Sequence, residues 1–199
     1  MLGLPLLRRF LDCQKGISAL EFALVAPIML LAITGIIDLM LVMFVTSLME
    51  GGLRDGSRLG RIGFQPVGST REEAVAQKIA DATIGLLDMN QVQITTKVYQ
   101  DFSSVGQPEP FTDANANGSY DAGESYTDVN GNSAWDADQG VAGLGSPNNV
   151  VLYTVHYDWT LLTPLLPTFL PNGGTFPIEV SLAVRNEPWT TPPPPTPGP

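Results

Sequence analysis

FALVAPIMLLAITGIIDLMLVMFVTSL, residues 22–48, is the stretch on which the reading of this chain turns. Its 27 residues carry a single charge, Asp38. A bilayer core about 30 Å thick is crossed by about 20 helical residues, so this run is long enough to span one. The apolar core of a secretory signal is shorter, about 7–15 residues, and leads into a small-x-small cleavage site; no such site follows here. Glu21 and Asp38 would stand about 25 Å apart along a helix, near opposite faces of the hydrocarbon layer. For Asp38 an interfacial position and a role in subunit contact are equally open. Pro27 removes one backbone donor and should kink or loosen the helix near Ala23.

Working upstream, Lys15-Gly16-Ile17-Ser18-Ala19-Leu20-Glu21-Phe22 follows Arg8 and Arg9. This order of basic leader, glycine, then Glu as the fifth residue after the glycine resembles the processing site of type IV pilin precursors. Glu21-Phe22 before an aliphatic run with an early proline, Ala23 to Leu31, resembles the TadE-like pseudopilins of tight-adherence (Flp) pili. The resemblance implies that a prepilin peptidase cuts between Gly16 and Ile17 on the cytoplasmic side, so that 1–16 is a cleavable leader. The amine freed on Ile17 would pair with Glu21 of the same or a neighbouring subunit, which offsets desolvation only when the geometry is good. Cleavage would remove three bases and Asp12, moving the formal charge from −10 to −12. The partners implied are other pilin-like subunits, pilus assembly proteins, the peptidase and membrane lipid. Charge alone leaves orientation tied, because Arg8, Arg9 and Lys15 before the run face Arg54, Arg58 and Arg61 after it. The resemblance breaks the tie. It places the N-terminus in the cytoplasm of a bacterial cell, a single pass in the inner membrane, and the remainder in the periplasm, outside the cell or within a surface pilus.

Downstream, the helix should continue to about residue 64. Gly52, Gly56 and Gly60 recur at the small-residue spacing that lets helices approach closely, beside a helical stripe of Arg54, Arg58 and Arg61. Two readings stay open: a packing face with headgroup or acidic-partner contacts, or a solvated, glycine-weakened juncture. Ser69-x-x-Glu72 forms a capping box for a helix over about 70–88. Alternation then predicts strands at 91–99, 150–159 and 176–186. The class is α+β: a long transmembrane helix, a second helix packed on a small antiparallel sheet, and an insertion. Its segments are 17–64, 65–100, the insertion at 101–148, and 149–189. Leu161 to Pro171 reads as an apolar loop because its prolines forbid a regular element, and 190–199 as an extended proline-rich tail.

The insertion is acidic. Residues 101–140 hold eight acids and no base, in a chain of net charge −10. Asp113-Ala114-Asn115-Ala116-Asn117-Gly118-Ser119-Tyr120-Asp121-Ala122-Gly123-Glu124 fits the calcium-loop template D-x-[DN]-x-[DN]-G-x5-E throughout. Such a loop wraps a cation with side chains at positions 1, 3 and 5, the carbonyl at 7, position 9 directly or through water, and a bidentate carboxylate at 12. These are Asp113, Asn115, Asn117, Ser119, Asp121 and Glu124, with Gly118 at the sharp turn. A second copy starts fifteen residues later with Asp128, Asn130, Asn132, the Ala134 carbonyl and Asp136. It has Ser133 at the turn and Gln139 at position 12, leaving Asp138 as the expected closing ligand. One or two Ca²⁺ ions are therefore expected. Only Ser125-Tyr126-Thr127 separates the copies, too little for EF-hand flanking helices, and the arrangement resembles the tandem loops of dockerin-type and extracellular adhesive proteins.

No enzyme is expected. His156 is the only histidine and Cys13 the only cysteine, and no nucleophile elbow, P-loop or zinc spacing occurs. The negative charge argues against nucleic acid, and nothing calls for a small-molecule substrate. The sequence thus points to a minor pilin or pseudopilin-like structural component, with an uncleaved single-pass calcium-binding adhesin or envelope protein as the alternative.

Overall fold

The computed structural model describes residues 17–62, 70–163 and 174–188. The leader with Gly16, Ser69, most of the apolar loop and the proline-rich tail lie outside the described residues.

Helix α1 (Ile17–Arg61) runs 45 residues, and Pro27 lies inside it without ending it. Its surface changes character once. Between Ser18 and Ile37 no residue is buried, and the helix is apolar enough to cross a membrane, with mean hydropathy 2.6 over its best window. From Asp38 on, a buried stripe begins: Asp38, Val42, Val45, Met49, Leu53 and Ser57. That spacing of three and four is the signature of a helix with one face against a core.

The chain divides into two compact units, one containing the helix up to Met43 with Trp159–Phe176, the other Phe44–Asp158 with the chain from Pro177. In the first, Asp38 is 2% exposed. Its carboxylate accepts the main-chain N–H of Leu162 at 2.9 Å and of Thr163 at 3.2 Å, and also the Thr163 hydroxyl. Asp38 is therefore neither a bare interfacial acid nor free for another subunit; it anchors the start of the apolar loop within its own chain. Leu161 N–H donates to the Gly174 carbonyl at 3.0 Å, closing the base of that loop.

In the second unit the lower part of α1 packs on α2 (Arg71–Thr83). The capping box lies one residue later than the sequence suggests. Thr70 is the N-cap, its hydroxyl accepting Glu73 N–H at 3.1 Å while the Glu73 carboxylate accepts Thr70 N–H at 2.7 Å. The helix also ends earlier than 88, at a left-handed Ile84 (φ 54°) followed by Gly85 (φ 74°). The glycine series explains the packing. A Cβ on Gly52 would meet the Ile79 Cα at 2.8 Å, and one on Gly56 the Val75 Cα at 3.1 Å, while Gly60 sits under the Tyr153 hydroxyl. The small-residue face is used inside the chain.

Among the described residues four strands, β1 (Gln93–Tyr99), β2 (Val141–Ala142), β3 (Val150–Thr160) and β4 (Thr175–Arg185), form one sheet in the order β2-β1-β3-β4. β1 is antiparallel to both neighbours, with Thr96 opposite Tyr153 and Lys97 opposite Ala142. Val151, Tyr153, Val155 and Tyr157 are buried in alternation along β3, as are Ile178 and Val180 on β4. An α+β fold with a helix and a small antiparallel sheet follows from period-2 strands with one buried face. β2, only two residues long, was not expected.

Candidate functional site

Between β1 and β2 the chain leaves the sheet and returns to it. Gln139 N–H donates to the Gln107 carbonyl at 3.0 Å, so the excursion begins and ends at one place. Within it the two Asp/Asn loops adopt the same conformation. In the first, Asp113 accepts the N–H groups of Asn117 (3.1 Å) and Gly118 (2.7 Å). In the second, Asp128 accepts those of Asn132 (3.2 Å) and Ser133 (2.8 Å). Asn115 and Asn117 direct their amides to the Asp121 carboxylate at 2.7 and 2.8 Å. Asn130 and Asn132 do the same to Asp136, both at 2.6 Å. Positions 3, 5 and 9 thus converge on one point in each loop.

The turns match as well. Positions 4 and 6 are left-handed in both copies: Ala116 (φ 59°) and Gly118 (φ 78°), then Gly131 (φ 77°) and Ser133 (φ 66°). The serine that replaces the turn glycine takes the glycine's conformation, at the steric cost that any L-residue bears there. The main-chain N–H of Gly118, foremost, holds the Asp113 carboxyl below its ordinary value of 3.8.

The two loops face each other. Phe111 and Tyr126 form an isolated antiparallel bridge. Thr112 N–H donates to Ser125 O and Thr127 N–H to Pro110 O, both at 2.8 Å. Tyr120 and Trp135, each at position 8, stack at 4.5 Å with 13° between planes. Phe111 on Trp135 and Tyr126 on Tyr120 add matching edge contacts at 5.9 and 5.8 Å. These rings supply the apolar centre that holds an otherwise polar module together.

The closing carboxylates differ from the expectation in the second loop. In the first, Glu124 accepts Ala114 N–H at 2.8 Å with Oε1 and Asp121 N–H at 3.0 Å with Oε2. In the second, Asp138 is engaged elsewhere, accepting from Lys97 Nζ at 2.6 Å and the Tyr99 hydroxyl at 2.9 Å. Burial, then the hydrogen bond it donates to Asp138, pushes the Tyr99 phenol up to about 12. The carboxylate at the second loop is Glu109, which is 0% exposed and which a forward scan of the motif passes over. Its Oε1 accepts Val129 N–H at 2.7 Å and its Oε2 Asp136 N–H at 3.2 Å. Trp135 Nε1 donates to its carbonyl at 3.0 Å.

Among the described residues no group of three or more His, Cys, Asp or Glu side chains is placed to hold a metal ion. A cation in these loops would depend on amide and main-chain oxygens beside the carboxylates, which is the hard, all-oxygen donor set that suits Ca²⁺. Asn130, Asn132 and Asp136 line a surface cleft beside β2, so the second loop is reachable from solvent. His156 lies near Asp158 of its own strand (3.5 Å), away from the loops.

At the other end of the chain, Glu21 and Phe22 lie on the exposed part of α1, one turn along from Ile17 in the case of Glu21. Arg61, the last of the arginine stripe, pairs with Glu187 at 3.1 Å and accepts Glu187 N–H with its carbonyl. Residues 16–58 match the family model of TadE-like proteins. The matched span is helix α1 short of its last turn, together with the glycine before it. No curated protein and no solved structure matches the chain.

Proposed function

We infer that this chain is a membrane-anchored, pseudopilin-like structural component of a tight-adherence pilus or its secretion apparatus. One observation carries the reading: the TadE-like match falls on a helix whose first half is apolar and exposed. A helix of that kind needs lipid or other helices around it, which the membrane and then neighbouring pilin-like subunits supply in turn. Its role is assembly and scaffolding, not catalysis. The N-terminus lies in the cytoplasm, and the domain from the lower part of α1 onward lies outside the inner membrane. A prepilin peptidase matures the chain between Gly16 and Ile17, leaving Glu21 to meet the new amine.

The acidic module binds Ca²⁺, one ion per loop, which cancels the self-repulsion of eight acids in forty base-free residues and stiffens a surface projection. The module lies outside the TadE-like span, which also favours a second reading, an uncleaved anchored adhesin. Mass spectrometry of the membrane fraction separates the two. A chain beginning at Ile17 in peptidase-competent cells supports the pilin reading, and an intact Met1 there supports the adhesin. For the metal, calorimetric titration of the full chain in detergent should give heat that Asp113→Ala and Glu124→Ala each reduce. Equal heats in parent and variants would remove calcium from the account.

A further inference from the structure

We propose that Glu109 is the closing, bidentate ligand of the second loop, so that the opening glutamate of each repeat closes the loop of the other across a pseudo-two-fold axis. This rests on the calcium reading given above and deepens it.

The repeat underlying the module is fifteen residues long: Glu109-Pro-Phe-Thr-Asp-Ala-Asn-Ala-Asn-Gly-Ser-Tyr-Asp-Ala-Gly, then Glu124-Ser-Tyr-Thr-Asp-Val-Asn-Gly-Asn-Ser-Ala-Trp-Asp-Ala-Asp. Each repeat opens on a Glu four residues before its first aspartate. Glu124 is thus two things, the position-12 ligand of the first loop and the opening residue of the second repeat. Glu109 is its counterpart, and the chain has no third copy to close the second loop from behind.

Folding supplies what the linear order lacks. Glu124 accepts from positions 2 and 9 of the first loop, and Glu109 accepts from positions 2 and 9 of the second. The main chain agrees: Glu109 N–H donates to Asp136 O at 2.9 Å, and Glu124 N–H to Asp121 O at 3.1 Å. The Phe111–Tyr126 bridge and the Tyr120–Trp135 stack pair equivalent residues of the two repeats, as a two-fold relation requires.

A second, independent observation points to a cation. Glu109 is fully buried, and among the described residues it forms no ion pair with a basic side chain. No base occurs anywhere in 101–140, and the nearest lysine, Lys97, is held by Asp138. Three main-chain N–H groups, those of Val129, Asn130 and Asp136, reach its carboxylate, and these neutral donors cancel none of its charge. A divalent ion beside it would.

The test counts ions. Native mass spectrometry of the full chain in detergent, titrated with Ca²⁺, should show two ions on the parent, one on E109Q, one on E124Q, none on the double variant, and two on D138N and on Q139A. The affinity of the lost site should fall by at least the roughly 10–100-fold that follows loss of a supporting hydrogen bond to a ligand. Two ions on E109Q, or one on D138N, would overturn the assignment while leaving calcium binding intact. No ion on the parent would sink the calcium reading itself, and this inference with it. Near-UV circular dichroism of the Tyr120–Trp135 stack checks that E109Q is folded. Should it not be, E109D keeps the charge but shortens the reach, and must also lose one ion.

Discussion

Ser133 has a backbone conformation that a glycine would hold without strain, and its counterpart Gly118 shows as much. A left-handed L-residue costs about 1–2 kcal/mol, so Ser133→Gly should stabilise the second loop by about 1 kcal/mol, less the added freedom of glycine in the unfolded chain. Thermal unfolding in saturating calcium measures it. Acid sensitivity is also a residue-scale matter. Asp113, held down chiefly by the Gly118 N–H, and Asp101, held down chiefly by the Ser103 hydroxyl, both have carboxyls below the ordinary 3.8. The unfolded chain therefore binds more protons than the folded one just below that value. The contribution is complete above pH of about 4 and is lost as pH falls through the lowered folded values. Unfolding midpoints followed from pH 6 to pH 2 should be level at first and then decline. At this scale the sequence told most about the first loop, where every position of the calcium-loop template is filled. Glu109 escaped because a motif is read forward from its first aspartate, and this glutamate precedes Asp128 by nineteen residues. Only the hairpin-like pairing at Phe111 and Tyr126 brings it back.

Element boundaries were legible where a period ran long enough. The strands at 150–159 and 176–186 were found within a residue of Val150–Thr160 and Thr175–Arg185 because alternation over that length has one interpretation. The cap of α2 was displaced by one position because Ser69 and Thr70 are adjacent hydroxyls and Glu72 and Glu73 adjacent acids, so two registers fit equally. β2 has no period at all in two residues. For the glycine series the spacing alone fits both close packing and a loose juncture, and Gly52 decides between them. A side chain there meets backbone, not a movable side-chain end. Gly52→Leu should cost about 1–3 kcal/mol or more through forced separation of α1 and α2, seen as a lower denaturation midpoint, whereas Gly51→Leu, with nothing within 4 Å, should cost far less. Asp38→Ala should leave the N–H groups of Leu162 and Thr163 without their acceptor, at about 1–3 kcal/mol for each one kept from water. Hydrogen exchange at these two amides would quicken in the variant while the amides of β1 stay protected.

Over the whole molecule, one polypeptide carries two kinds of instruction. Helix α1, matched to the TadE-like family over residues 16–58, is apolar and exposed as far as Ile37 and carries a buried stripe from Asp38 on. The acidic module obeys different rules, since few apolar groups other than four aromatic rings hold it and its charges repel. Removing calcium should therefore act locally. A chelator should open 110–140 to proteolysis while the sheet and α2 keep their resistance, and a calcium-independent digestion pattern would contradict the proposed role.

The hydrogen bond from Gln139 to Gln107 has a further consequence. Because the excursion departs and rejoins at adjoining backbone groups, the sheet depends on little between them beyond Asp138, which holds Lys97 and Tyr99 of β1. The loops are in effect a cassette: residues 108–137 could be cut out and the gap spanned by a short glycine turn, with Asp138 kept and β1 and β2 still in register. The same doorway would accept a foreign insert of any length whose own ends meet, offering a place to hang a label without disturbing the strands on either side.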